Sequence, residues 1–340
     1  MNKVLEAERS LDAIGRYKLP LERGLATFGT IAALPPASLG RFVLAAAVGA
    51  VALGILFGAQ HLRSIALIAF SAGAGALLRR GLARVSTNPF LQPLSAALLA
   101  GLIGGIAQRQ QLSSPLALVA LCPCMVLLPG PHFLNGLIDL IRARVALGCS
   151  RLAFALFVVT AISAGVLLGL WAVGATLPVS PPGRSTPLPV EVIAAGFAVY
   201  AYGSFYSLQW RLLPLPILIG MIARALRSSA IALGASAPAG AFLACLMVGA
   251  VTTPLGNRLH LPFAALSFAA VVGLIPGVFL FRMAGGLVQI AALGEKAPGS
   301  LATVILGDGG TAVLILLAMG FGLIAPKLVS ERLRRAAPGQ

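Results

Sequence analysis

The feature of this sequence that most restricts its fold is an apolar segment that ends in a proline-glycine step and is followed by an amphipathic segment. The apolar segment ALVALCPCMVLLPG ends at Pro129 and Gly130, and PHFLNGLIDLIRAR follows it. Proline lacks a backbone N–H donor and glycine leaves the backbone unrestrained, so a helix is interrupted at such a step. At membrane depth a broken helix is tolerated only where it faces protein or a water-filled cavity. The step therefore predicts a break inside a membrane-spanning helix.

The same pattern occurs a second time at a constant offset. LSFAAVVGLIPG ends at Pro276 and Gly277, so the second step lies 147 residues after the first. Other identities at this offset are Gly49 with Gly196, Gly73 with Gly220, Arg80 with Arg227, Pro115 with Pro262, Leu127 with Leu274 and Leu140 with Leu287. The chain is therefore predicted to contain one structural unit twice.

The composition identifies the class of protein. Of 340 residues, 59% are hydrophobic and 10% are charged, which excludes a water-soluble globular fold. The net charge of +16 does not indicate a nucleic-acid partner, because Lys and Arg lie in short connections between apolar segments rather than on one basic face. We therefore expect a polytopic membrane protein in contact with a lipid bilayer and not with nucleic acid.

The predicted fold class is all-α, with about ten transmembrane helices arranged as two five-helix inverted repeats. A spanning helix needs about 20 apolar residues. The first five spans are expected near 39–59, 62–78, 91–108, 114–130 and 150–176, and the next five near 190–208, 211–226, 237–256, 261–277 and 309–328. An odd number of spans per repeat makes the second copy enter the membrane from the opposite side. Inverted repeats are a recurrent transporter architecture, with the binding site at the repeat interface.

The chain divides into five parts on this prediction. They are a short amphipathic N-terminal segment (1–37), the first repeat (38–177), a Pro-rich linker (178–189), the second repeat (190–329) and a basic cytoplasmic tail (330–340). Basic residues of the first half concentrate on the N-terminal side, with Arg63, Arg109 and Arg184 as the exceptions. The positive-inside rule then puts the N-terminus in the cytoplasm, and ten spans return the C-terminus to the same side.

Carboxylates are scarce in the apolar part of the chain, and Asp139 is the strongest candidate for proton coupling. On a helix that begins at Pro131, His132, Asn135 and Asp139 share one face, because Asn135 follows His132 by three residues and Asp139 follows Asn135 by four. His titrates near neutral pH, and Asn can bind the ammonium or carboxylate group of a small polar solute. In the alternative interpretation, Asp139 lies at the cytoplasmic interface and pairs with Arg142, three residues further on.

Arg282 is the equivalent of Asn135 in the second copy, and the two side chains are predicted to face each other across a pseudo-two-fold axis. An Arg at this position could hold a substrate carboxylate in a bidentate fork. The alternative is an interfacial Arg that extends its charge toward the headgroups. The predicted substrate-binding residues are Asn135, Arg282, Pro129, Gly130, Pro276 and Gly277.

Asp308 is a further candidate for proton coupling, together with Asp139 and His132. Because it lies in the sequence LGDGGT, the alternative is that Asp308 caps the N-terminus of the last span. The two other carboxylates of this region, Glu191 and Glu295, are interpreted as interfacial.

Cys122 and Cys124 flank Pro123 within an apolar segment, which resembles the metal site of soft-metal pumps, since thiolates select Cu(I). Such pumps also need a large cytoplasmic domain with a phosphorylated Asp, which is not found in this sequence. Cysteine is also a common small buried residue. The Gly pair Gly165 and Gly169, and the small-residue face around Gly101, are interpreted as helix-packing devices. No nucleotide-binding loop, catalytic triad or metalloprotease motif is present, so we predict neither an enzyme nor a bound cofactor or metal.

The segment LLPGPHFLNGLIDLIRARVALGCSRLAFALFVVTAISAGVLLGL, from 127 to 170, resembles the core of the threonine/serine exporter family. In that family a Pro-Gly step is followed by an Asn, an Asp and an Arg that starts the next span. The matching residues are Pro129, Gly130, Asn135, Asp139 and Arg151. The segments RVSTNPFLQPLSAALLAG (84–101) and LPFAALSFAAVVGLIPGVFLFRMAGGL (261–287) are similar to further parts of the family.

The resemblance implies a ten-span secondary exporter that moves threonine, serine or related small amino acids out of the bacterial cytoplasm through the inner membrane, driven by proton antiport. Family members usually carry a sizeable soluble domain before the first span, where this sequence has about 37 residues, and the Cys-Pro-Cys run is a second departure. Two alternatives stay open: a soft-metal exporter that uses Cys122 and Cys124, and a non-transporting membrane subunit that needs a partner chain with the soluble domain. The sequence does not distinguish a monomer from a homo-oligomer.

Overall fold

The structure is a computed structural model, and it describes residues 2–15, 20–33, 35, 37–112, 118–177, 186–259, 261 and 263–336. Within these ranges all regular structure is helical. In the described part of the chain, nine helices are long and apolar enough to cross a membrane, and one bent pair of helices brings the number to as many as ten. The prediction of an all-α polytopic membrane protein with about ten spans is thereby confirmed.

In the described part of the first half, two helices precede the first span, and six helices follow from α3, which is the first span, to α8. They are α1 (Asn2–Gly15), α2 (Leu21–Ala33), α3 (Leu39–Leu56), α4 (Leu62–Leu82), α5 (Leu91–Arg109), α6 (Leu118–Val126), α7 (Gly130–Ile141) and α8 (Val145–Ala172). The first span begins at a cap, because Ser38 Oγ accepts a hydrogen bond from the Arg41 backbone N–H. The expected amphipathic lead-in thus corresponds to α1 and α2, which are joined by a bond from Lys3 Nζ to the Ala32 carbonyl (2.6 Å).

The second half follows with α9 (Leu188–Phe205), α10 (Pro214–Ala232), α11 (Ala237–Leu259), α12 (Phe263–Ala270), α13 (Gly277–Leu293) and α14 (Gly299–Ala336). Short 3-10 turns lie at Trp210–Leu212, Val272–Leu274 and Gly294–Lys296. Most of the predicted linker, residues 178–185, lies outside the described residues, as do Pro115 and Pro262 of the predicted repeat.

The positions of the two broken spans differ from those predicted. The fourth span was expected to end at the first Pro-Gly step, but α6 is too short to cross alone, and α6 and α7 qualify only as a pair bent by 54°. In the second half, the spanning segment is Val272–Lys296. The reason is the same in both cases: the helix resumes after the step and supplies the missing length, about 1.5 Å per residue.

Glycines allow the tightest helix crossings. A Cβ added at Gly165 or Gly169 of α8 would lie 2.3 Å from a carbonyl oxygen of α5, and a Cβ at Gly101 of α5 would lie 2.3 Å from a carbonyl oxygen of α8. The helix-packing interpretation of these glycines is confirmed. The corresponding crossing of α11 and α14 depends on Gly249 and Gly322, where an added Cβ would lie 2.6 and 2.8 Å from carbonyl oxygens of the other helix.

The buried core consists of two main clusters, and each receives a side chain from the other half. Leu134 of α7 is buried in a cluster built mainly from α10, α11 and α14. Phe281 of α13, which lies 147 residues later, is buried in a cluster built mainly from α3 to α8. Both side chains are 1% exposed. The two helices that follow the breaks therefore join the halves into one core.

Candidate functional site

The two Pro-Gly steps have the same local backbone. Pro129 has φ −80° and ψ 56°, and Pro276 has φ −79° and ψ 48°. In both cases these ψ values lie outside the helical region, and a new helix begins at the following glycine. The Gly130 N–H donates to the Leu128 carbonyl (2.8 Å) and the Gly277 N–H donates to the Ile275 carbonyl (2.9 Å). A short local turn thus satisfies the first backbone donor after each break.

The structure brings these two steps into contact, and the contact is reciprocal. A Cβ added at Gly130 would lie 2.6 Å from Ile275 Cδ1, and a Cβ added at Gly277 would lie 2.7 Å from Leu128 Cδ1. Ile275 and Leu128 are equivalent positions at the offset of 147 residues, as are the two glycines. Each glycine therefore makes room for the residue that precedes the other break.

A small cavity of about 30 Å³ lies beside this contact, and its walls come from both halves. The lining includes Gly49, Met125, Leu128, Tyr202, Ile275 and Gly277. The hydroxyl of Tyr202 also lies next to the first step, 3.2 Å from the position of a Cβ at Gly130. A cavity of this size holds about one or two water molecules. Tyr202 was not predicted as a site residue, because a Tyr in an apolar helix has no distinguishing spacing.

Asp139 is buried near the end of α7 and accepts a hydrogen bond from Arg151 Nη1 of α8. Arg144 Nη1 lies 3.9 Å from the other carboxylate oxygen. The connection from α7 to α8 turns sharply at Ala143, which has φ 60°, and this turn brings Arg151 back beside Asp139. The alternative pairing of Asp139 with Arg142 is wrong: Arg142 follows the end of α7 and its Nη2 binds Glu331 Oε1 of α14 at 2.9 Å.

His132 and Asn135 occupy the same helix as Asp139, as predicted, since α7 is continuous from Gly130 to Ile141. The His132 ring is exposed on the protein surface and lies 4.7 Å from the Phe154 ring of α8. Asn135 is half-buried. Within the described residues, neither side chain makes a hydrogen bond or ion pair with Asp139.

Arg282 and Asp308 form a buried ion pair between α13 and α14. The distance from Arg282 Nε to Asp308 Oδ2 is 3.1 Å, and the side chains are 8% and 10% exposed. Both alternatives for these residues are wrong. Arg282 does not extend to the surface, and Asp308 does not cap a helix, because α14 begins nine residues earlier at Gly299.

A further ion pair, between α9 and α10, was missed by the sequence analysis. Glu191 Oε2 of α9 lies 3.2 Å from Arg224 Nε of α10, and Ser228 Oγ donates to the same oxygen. Glu191 had been interpreted as interfacial, and its place in the first turn of α9 agrees with that. The signal that could have found the pair is the presence of one carboxylate and one Arg in consecutive spans, each of which needs a counter-ion.

The four cysteines are free thiols, and Cys122, Cys124 and Cys245 are buried. Among the described residues, no group of three or more His, Cys, Asp or Glu side chains could hold a metal ion. Cys122 and Cys124 are fully buried members of the first core cluster. Their surroundings agree with a packing role.

Comparisons with known proteins match both halves of the chain. The family described as "Putative threonine/serine exporter" matches residues 1–172, and the family described as "Threonine/Serine exporter, ThrE" matches residues 191–329. A "Probable threonine/serine exporter" of Mycobacterium tuberculosis is 26% identical over 353 residues, which cover 98% of this chain and 60% of that protein. The chain thus spans about 60% of the length of this curated relative. No solved structure matches the chain.

Proposed function

Because the chain belongs to the threonine/serine exporter family, we propose that it is a secondary exporter of small neutral amino acids such as threonine and serine. Export is coupled to protons and proceeds by alternating access between two inverted five-helix repeats. The chain lies in the bacterial inner membrane with both termini in the cytoplasm. The observation that carries this proposal is the reciprocal contact of the two Pro-Gly steps.

Reciprocal contacts are the mark of two units related by a two-fold axis. When residue i of one unit touches residue j of the other, the equivalent of j touches the equivalent of i. Gly130 with Ile275 and Gly277 with Leu128 obey this rule, and the exchange of Leu134 and Phe281 between the two cores agrees with it. In membrane transporters a pseudo-two-fold axis through broken helices coincides with the substrate site.

Contacts between connections support ten alternating crossings. With the N-terminus inside, the end of α7 and the end of α14 are both cytoplasmic, in agreement with the ion pair of Arg142 and Glu331. The ends of α8 and α13 are both outside, in agreement with the 2.8 Å bond from Gln289 Nε2 to the Leu177 carbonyl. The 54° bend between α6 and α7 redirects the chain without reversing it, which favours a crossing over a re-entrant hairpin.

The buried pair of Arg282 and Asp308 suggests how proton and substrate are coupled. Arg282 binds one carboxylate at a time in a bidentate fork, so a substrate carboxylate and Asp308 compete for it. The amino acid inserts into the pair, with its carboxylate on Arg282 and its ammonium group on the ionised Asp308. A proton on Asp308 competes with the ammonium group, so the carrier holds the proton and the amino acid alternately, as antiport requires. Asp139 and His132 exchange the proton with the cytoplasm, and Asn135 contacts the polar groups of the substrate.

The test is counterflow in liposomes that contain the purified chain. Vesicles preloaded with L-threonine are expected to accumulate labelled L-threonine above protein-free vesicles, and external L-serine should compete while L-leucine should not. Proton coupling is then tested with a proton gradient across the vesicle membrane, imposed in each direction, with and without a protonophore. Absence of accumulation by folded protein would contradict the proposal and would direct attention to a partner chain or a different solute.

A further inference from the structure

Arg79 lies near the end of α4, and among the residues that the structure describes it has no carboxylate partner. Its guanidinium lies 5.7 Å from the Phe42 ring centre and 5.3 Å from the Phe205 ring centre. Its Nε and one Nη are buried and find no hydrogen-bond acceptor among the residues that the structure describes. Arg41 and Arg80 also have a buried Nε without an acceptor among the described residues, but each has one bonded Nη2, which donates to the Leu208 carbonyl (2.6 Å) and to the Ala37 carbonyl (2.7 Å), respectively.

Arg79 lines a narrow cleft whose walls include Val126 and Leu127, which lie just before the first Pro-Gly step. The cleft has a volume of about 10 Å³ and is lined by Ala46, Ser71, Arg79, Pro123, Val126 and Phe205, among others. Ser71 lies two turns before Arg79 on the same face of α4. Its side chain is fully buried, and its Oγ has no hydrogen-bond partner in the described part of the chain. Among the described residues, Arg79 Nε and Nη1 and the Ser71 hydroxyl of this cleft thus have no hydrogen-bond partner.

An open cavity of about 510 Å³ lies on the predicted cytoplasmic side of this cleft. Its lining includes Arg41, Gln209, Trp210 and Arg211. Along α3, Phe42 falls between Arg41, which lines the open cavity, and Ala46, which lines the cleft. Phe42 stacks on Phe205 of α9 with ring centres 4.5 Å apart. Phe205 lines the cleft and Phe42 directly follows Arg41, so the aromatic stack adjoins both spaces.

A buried guanidinium without a counter-ion is costly, and in membrane proteins such a residue marks a substrate or ion pathway. A planar guanidinium is matched by a carboxylate, and the aromatic walls leave its N–H edge as the binding surface. The unpartnered Ser71 hydroxyl adds a second hydrogen-bonding group for the polar end of the same ligand. In the present closed conformation the cleft has room for about one water molecule, so a ligand enters only after the aromatic stack opens.

We propose that Arg79 is a cytoplasmic loading site that binds the carboxylate of the amino acid before it reaches the repeat interface. The site is entered from the open cavity through the stack of Phe42 and Phe205. This inference rests on the proposed function, since it assigns a residue to the capture of the same substrate. It adds a step, because Arg79 releases the carboxylate before Arg282 binds it.

The experiment compares substrates with and without a carboxylate in the liposome counterflow assay. L-Threoninamide has the side chain and ammonium group of threonine but no carboxylate. In the wild-type protein, unlabelled L-threonine is expected to compete at least tenfold better than L-threoninamide. Arg79→Gln should raise the half-competing concentration of threonine about tenfold or more, which corresponds to about 1.4 kcal/mol, and should reduce the preference over the amide to the part that Arg282 provides. Arg84→Gln, at an exposed position just after α4, is the matched control and should behave as the wild type.

Two further variants keep the test decisive if Arg79→Gln does not fold. Arg79→Lys keeps the charge but not the fork and is expected to lose part of the preference, and Ser71→Ala should weaken threonine competition about threefold. Folding is checked by gel filtration and by the melting temperature in detergent. If folded Arg79→Gln or Arg79→Lys kept the wild-type preference for threonine over threoninamide, the loading site would be wrong, while the proposed function would still stand. A wild-type protein that does not accumulate threonine would overturn both.

Discussion

Two ion pairs join the helix that follows a break to the long helix after it, and they differ in depth. Arg282 lies about 16 Å from the end of α13, and Asp308 about 14 Å from the start of α14, at 1.5 Å per residue. That is close to half the thickness of a hydrocarbon core. Asp139 and Arg151 lie only about 3 and 9 Å from their connection. One pair is therefore deep, and the other is shallow.

The two pairs also have opposite polarity. In the first half the carboxylate is on the helix after the break and the Arg is on the long helix, whereas the second half has the reverse order. The Arg of the shallow pair is 38% exposed, but both side chains of the deep pair are 10% exposed or less. Water can therefore solvate Arg151 when its partner is removed, while Arg282 and Asp308 depend on each other. This difference favours the deep pair for coupling and the shallow pair for proton exchange.

The largest effect is expected from Arg282→Gln. It leaves Asp308 buried without a counter-ion, which costs about 3–5 kcal/mol of stability, and it removes the proposed substrate ligand. Threonine counterflow should fall at least about 100-fold, as expected for a lost charge-assisted pair. The melting temperature in detergent and the counterflow rate measure the two effects.

The matched control for this variant is the double neutral change Arg282→Gln with Asp308→Asn. It should regain most of the stability, because no buried charge remains, but it should not regain transport. Near-normal counterflow by Arg282→Gln alone would show that the deep pair is not needed for transport. The difference in depth between the two pairs would then have no functional meaning.

Asp139→Asn is expected to have a smaller effect on stability and a selective effect on transport. Since Arg151 reaches solvent, the loss of stability should be about 2 kcal/mol or less. Proton-driven export should be lost while threonine counterflow, which needs no net proton movement, continues. Glu295→Gln, at an exposed position between α13 and α14, is the control. Proton-driven export that is unchanged by Asp139→Asn would exclude this carboxylate from coupling.

The sequence was sufficient for features that depend on local chemistry. The apolar lengths predict the spans, the missing N–H of Pro129 and Pro276 predicts the breaks, and small residues such as Gly165 predict the close crossings. Each of these follows from a residue and its immediate neighbours. The offset of 147 residues was also readable, because identical residues at a fixed spacing need no structure to be recognised.

The partners of the charged residues could not be predicted in this way. The i, i+3 rule favoured Arg142 for Asp139, but Arg142 lies just after the end of α7 and is directed to α14 instead. The LGDGGT sequence favoured a helix cap at Asp308, but the helix had already begun after Pro298. In both cases a tertiary contact between helices overrode a local preference. An apolar helix gives no sequence signal for which face meets a neighbour's charge.

The two breaks allow a comparison of the halves at equivalent positions. Gly130→Ala and Gly277→Ala each force a side-chain methyl group of the other half to move, and overpacking of this kind costs about 1–3 kcal/mol. The two losses are expected to agree within about 1 kcal/mol, since equivalent contacts are disturbed. Gly307→Ala, where an added Cβ meets nothing within 4 Å, is the control in α14. Melting temperatures of the three variants measure the difference, and strongly unequal losses at the two steps would contradict the proposed pseudo-two-fold relation.

The smallest effect is expected from Glu331→Gln, which removes the ion pair with Arg142 at the predicted cytoplasmic surface. The two side chains are 24% and 41% exposed, so water and salt already screen most of their attraction. Such pairs contribute about 1 kcal/mol or less, and the contribution falls further at high ionic strength. The melting temperature should therefore change little, the change should shrink between low and high salt, and counterflow should stay within about twofold of wild type. Together with the deep and shallow pairs, this variant completes a series in which the effect follows burial. A loss as large as that of Arg282→Gln would contradict the series, because it would show that the contact between the end of α14 and the end of α7 controls transport independently of its exposure.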